Sequence, residues 1–125
     1  MQPSNEFLTP EECAEVDKAL LTSREKFSAR VAIYALRSLR QIAQENTTSI
    51  TQLDPQQIED WVYQDESLQT GLDREFRQFF AQLVIASLKP LKQIAQEAGV
   101  AIEALTVSQV IIWFERQAKV NLDKA

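Results

Sequence analysis

Histidine is absent from the 125 residues, and cysteine occurs once, at Cys13. Imidazole acid–base chemistry and intrachain disulfides are therefore excluded, as are nearly all zinc sites. Glycine occurs only at Gly71 and Gly99, and there are four prolines. A small all-β domain needs a tight turn about every ten residues, and two glycines cannot supply them. No glycine-rich phosphate loop and no metal motif is present, so no cofactor is expected. Basic residues are in deficit, 13 Lys and Arg against 18 Asp and Glu, which leaves a net charge of −5. That balance disfavours nucleic acid as a partner. The longest nearly uncharged apolar stretch, 79–88, contains Gln82 and falls far short of the ~20 residues that span a bilayer. The first nine residues lack the basic and apolar segments of a signal peptide, and an unpaired Cys13 suits a reducing compartment. A cytoplasmic chain without membrane contact is expected.

What is present is ordinary globular composition, 45% hydrophobic and 25% charged, in a chain long enough for one core. It also contains a repeat. Leu39-Arg-Gln-Ile-Ala-Gln-Glu45 returns as Leu91-Lys-Gln-Ile-Ala-Gln-Glu97, a shift of 52 positions. Extending the shift without a gap aligns residues 20–64 with 72–116, and 15 of the 45 aligned positions are identical. The pairs include Phe27 with Phe79, Leu53 with Leu105 and Trp61 with Trp113. Two amphipathic helices match at apolar positions by periodicity alone, but periodicity does not explain the polar run or the second tryptophan.

Helix signals divide each copy alike. Thr9-Pro10-Glu11-Glu12 and Thr22-Ser23-Arg24-Glu25 are capping boxes, predicting helices over 10–21 and 23–45. Asp54-Pro55-Gln56-Gln57 opens a third helix, which the shift extends into the second copy's first, with Leu68 facing inward. A fourth is predicted over 74–98, kinked at Pro90 and stopped by Gly99; a fifth covers 107–122. The fourth, with Phe79, Phe80, Leu83, Val84, Ile85 and Leu88, reads as the middle of the core. The fold class is all-α: one compact domain, 1–125, of about five helices built by internal duplication.

Catalytic groups are scarce. The carboxylates at Glu11, Glu12 and Glu15, at Glu59 and Asp60, and at Asp65 and Glu66 fall on first turns or outer faces, where acids stay wet. Cys13, beside glutamates, reads as a structural thiol rather than a nucleophile. Basic residues gather on the second helix and its repeat. Arg30, Arg37, Arg40, Lys89 and Lys92 are candidates for an anionic partner, or for internal pairing with acidic neighbours.

The last helix offers two readings. Gln109-Val-x-Ile-Trp-Phe114 resembles the third, DNA-reading helix of homeodomains, and Ile94 to Val100 resembles the first helix and glycine turn of repressor-type helix-turn-helix proteins. That resemblance implies a DNA-binding regulator using Arg116, Lys119 and Lys124. The matched positions are core ones, however. Arg116 stands where the homeodomain pattern places a base-reading asparagine, and Ala118 where it places a phosphate-binding arginine. The second reading comes from the repeat itself. Glu59 and Asp60 of the first copy become Ile111 and Ile112, too apolar for an exposed helix face. Ile111, Ile112 and Phe114 are thus interface candidates, covered within the chain or in a homodimer. The preferred expectation is a non-enzymatic adaptor that self-associates and binds a protein partner.

Overall fold

The computed structural model describes residues 8–65 and 74–124, and among these it contains five α-helices and no strand. They are α1 (Pro10–Asp17), α2 (Ser23–Glu45), α3 (Pro55–Tyr63), α4 (Arg74–Ala98) and α5 (Val107–Lys124). Short 3-10 turns at Ile50–Gln52 and Ile102–Ala104 precede α3 and α5.

The helix starts follow their capping chemistry. Thr9, Thr22 and Asp54 each accept a backbone N–H with the side chain, while Glu12, Glu25 and Gln57 reach back to the cap. Thr106 and Gln109 do the same at the start of α5. α1 ends at Asp17, four residues before the predicted 21. A tertiary contact holds the chain beyond it, because the Leu20 N–H donates to Glu115 Oε2 at 2.9 Å. α4 runs unbroken through Pro90. The placement of Leu68, and with it the extension of the third helix, lies outside the described residues.

α2 and α4 pack on each other; α3 lies on α4, α5 lies on α2, and α1 rests on both α2 and α5. Partners therefore surround α2, and its buried positions run all the way round: Val31, Ala32, Ile33, Tyr34, Ala35 and Leu36 are consecutive. Burying each large apolar side chain here contributes about 1.5–3 kcal/mol. This corrects the expectation that 74–98 forms the middle of the core. In α4, Phe79 is 59% exposed and Phe76 41%, while Leu83, Ile85 and Leu88 are half-buried. The two helices differ in cover, since among the described residues no helix occupies on α4 the place that α1 occupies on α2.

Several structural details recur at the sequence shift. Buried Ala29, Ala32, Leu39, Ile42, Ile50, Leu53 and Ile58 have buried counterparts 52 positions on, at Ala81, Val84, Leu91, Ile94, Ile102, Leu105 and Val110. The side chain of Gln41 donates to Glu45, and that of Gln93 to Glu97.

Candidate functional site

The basic stripe of α2 is engaged by the fold itself. Arg30 Nη2 lies 3.2 Å from Asp17 Oδ1, and Arg37 Nη2 lies 3.4 Å from Glu12 Oε1. Arg37 also stands over the Tyr34 ring, 5.6 Å from its centre. Arg40 crosses to the second half, donating through Nε to the Glu103 carbonyl at 3.0 Å and through Nη2 to that of Leu105. These three of the five anion candidates thus hold α1 and the turn before α5. Lys89 and Lys92 are exposed, on a shallow groove along α4 shared with Ile85 and Ala86.

Tyr34 is fully buried and donates to the Asp65 carboxylate. Burial first, and then that hydrogen bond, push its pKa well above the ordinary phenol value. Its ring meets Phe80 edge-on with 5.0 Å between centres. Cys13 is half-buried; burial, and secondarily Asp17, raise its thiol pKa, the opposite of an activated nucleophile.

The paired isoleucines separate. Ile111 is 6% exposed and belongs to the chain's own core, whereas Ile112 is 44% exposed. A helix turns about 100° per residue, so the two side chains point to different sides of α5, and only that of Ile111 is covered. Ile112 shares a small groove with Trp113, Arg116, Gln109 and Glu97. That setting is poorly suited to DNA. Glu97 accepts from Trp113 Nε1 beside Arg116, and Gln109 is taken up by the Thr106 cap. Lys119 is exposed on the same helix, and the side chain of Lys124 lies outside the described residues. The DNA reading finds no support.

Phe114 is half-buried and walls a different feature, an apolar cavity of about 350 Å³ between α2, α4 and α5. Ser28, Val31, Leu83, Ala86 and Pro90 complete most of its wall, with Phe27, 42% exposed, beside its mouth. Sequence reasoning missed this cavity. The available signal was the pairing of Tyr34 with Ala86 and Phe80 with Ser28 across the repeat, which exchanges two rings for two small groups.

Among the described residues no group of three or more carboxylates or thiols is placed to hold a metal, and no helix is long and apolar enough to cross a membrane. Residues 8–121 match the model of one protein family, described as NDH complex assembly factor CRR9. No curated protein and no solved structure matches.

Proposed function

The chain belongs to the NDH complex assembly factor CRR9 family, and we propose on that footing that it acts as a non-catalytic helical adaptor whose protein partner is a component of the NDH complex. The observation that carries the reading is the extent of the family match, which spans α1 to α4 and all but the last three residues of α5. The apolar cavity between α2, α4 and α5 supports it, because an open apolar recess with an exposed aromatic at its mouth suits a protein ligand. The recurrence of caps, turns and buried positions at 52 residues supports a doubled helical unit as the origin of the fold.

Self-association is part of the same proposal, with Ile112 as its apolar contact and Ile111 withdrawn from it. Light scattering of the purified chain is expected to give a dimer, and Ile112→Asp a monomer; a wild-type monomer removes this part. The partner reading is tested by tagging the full chain in its native host and identifying what is retained. NDH complex components, reproduced by direct binding of the purified proteins, are expected. Failure of every such component to bind overturns it.

A further inference from the structure

We propose that the exposed face of α4 from Gln82 to Gln93, with the cavity beside Ala86, docks an acidic amphipathic helix of a partner, which inserts one aromatic side chain. The proposal rests on the partner-binding reading above and adds the chemistry of the segment recognised.

The molecule contains its own precedent. Lys26, Arg30, Ile33, Tyr34 and Arg37 share one face of α2. α1 covers that face with an acidic edge: Lys26 Nζ donates to the Asp17 carbonyl at 2.8 Å, Arg30 meets the Asp17 carboxylate and Arg37 meets Glu12. On the same face Ile33 and Tyr34 are 1% and 0% exposed, with Tyr34 closed in by Phe80 and Asp65. Fifty-two positions on, the same face of α4 carries Gln78, Gln82, Ile85, Ala86 and Lys89. All are exposed except Ile85, which is half-buried. No described helix does for this face what α1 does for α2.

The cavity has the same origin. Tyr34 and Phe80 fill one side of the α2–α4 contact, both buried and edge-to-face. On the other side their counterparts are Ala86 and Ser28, and the space left between them is the cavity of about 350 Å³. An engineered cavity of about 150 Å³ takes up benzene, so there is ample room for a ring. Pro90, in the wall, has no N–H to offer the Ala86 carbonyl, which leaves that oxygen without its helical donor.

Charge selects an acidic partner. Lys89 stands where Arg37 binds Glu12, and Lys92 lies one turn further along. Neither makes a salt bridge among the described residues. Glu97, the carboxylate at the groove's far end, already accepts from Gln93 and Trp113.

Two probes of the full chain test this. First, a photo-crosslinking amino acid replaces Lys92, or Asp60 as a control, in the presence of purified NDH complex components. Crosslinks from position 92 to an acidic, aromatic-bearing helical segment are expected; crosslinks only from position 60, or from 92 to a second copy of this chain, overturn the site. In the same assay Ala86→Tyr, which fills the cavity as Tyr34 fills its counterpart, is expected to weaken binding at least tenfold without lowering the melting temperature. Should that variant fail to fold, the surface pair Lys89→Glu with Lys92→Glu decides, with the same loss expected and undiminished binding overturning the proposal. Second, a stapled acidic peptide copying residues 8–19, with phenylalanine at position 13, is titrated into the isotope-labelled chain. Amide shifts gathered on α4 from 82 to 93 are expected, and their absence overturns the surface. Shifts there, with no NDH component binding, would instead sink the partner's identity and leave the surface standing.

Discussion

Thr47 and Gly99 are 52 positions apart, and both follow a long helix with positive φ, 52° and 70° respectively. Each sits in the same pair of closing bonds. Thr48 N–H donates to the Ala43 carbonyl at 2.9 Å and Val100 N–H to that of Ala95 at 3.0 Å, while Thr47 and Gly99 bond to Gln44 and Gln96. The pattern is a Schellman stop, which needs one left-handed residue. Glycine adopts that conformation freely; a β-branched threonine does so at a cost.

Thr47→Gly should therefore stabilise the chain by about 0.5–1 kcal/mol, the relieved strain outweighing the glycine's extra unfolded-state entropy. Gly99→Ala should destabilise by about 1–2 kcal/mol through the backbone alone, because a Cβ there meets nothing within 4 Å. Denaturant midpoints at constant slope check both. Equal effects of the same sign would remove the shared-turn account.

Arg40 joins the halves with two hydrogen bonds to carbonyls of the 102–105 turn. Lysine cannot reproduce a planar fork of donors. Arg40→Lys should thus cost about 1–2 kcal/mol, and Arg40→Met about 2–3, leaving the two acceptors without their donor. Thermal denaturation reads the order. A lysine variant as stable as wild type would show that charge alone matters here.

Much of this architecture is legible in the sequence, and for local reasons. Caps depend on residues three apart, so Thr22, Asp54 and Thr106 announce their helices without tertiary information. The stop at Gly99 is equally local. What escapes is whatever depends on neighbours remote in the chain. The end of α1 is set partly by Glu115, and the burial of α2 rather than α4 by where α1 happens to lie. Arg30 and Arg37 look like an anion stripe in one dimension because Asp17 and Glu12 approach only in three. The cavity is harder still. It is a deficit of volume at a helix contact, and small residues such as Ser28 and Ala86 carry no periodic signal.

Ile111 and Ile112 should respond in opposite ways to a charge. Ile111→Glu places a carboxylate in the core and removes an apolar side chain, which should cost at least about 3 kcal/mol and lower the melting temperature sharply. Ile112→Asp should stay folded, within about 1 kcal/mol of wild type, because the residue is already 44% exposed in the chain. Circular dichroism melts separate the two. Unfolding by both variants would place Ile112 in the core as well.

Tyr34 makes the stability of the chain sensitive to alkali. Burial, reinforced by the bond to Asp65, raises the phenol above its ordinary pKa of about 10. The folded state therefore keeps this proton in a range where the unfolded state has released it. Below pH 10 the contribution is complete; above it the unfolded state binds fewer protons, and stability falls by about 1.4 kcal/mol per pH unit for this one group. Tyr34→Phe should cost about 1–2 kcal/mol at pH 7, through the lost hydrogen bond. It should also flatten the alkaline decline, so that the gap between variant and wild type narrows and then reverses as pH rises. Urea titrations of both proteins at pH 7, 9, 10 and 11 give the comparison. Parallel curves across that range would mean that the phenol of Tyr34 ionises as readily in the folded chain as in the unfolded one.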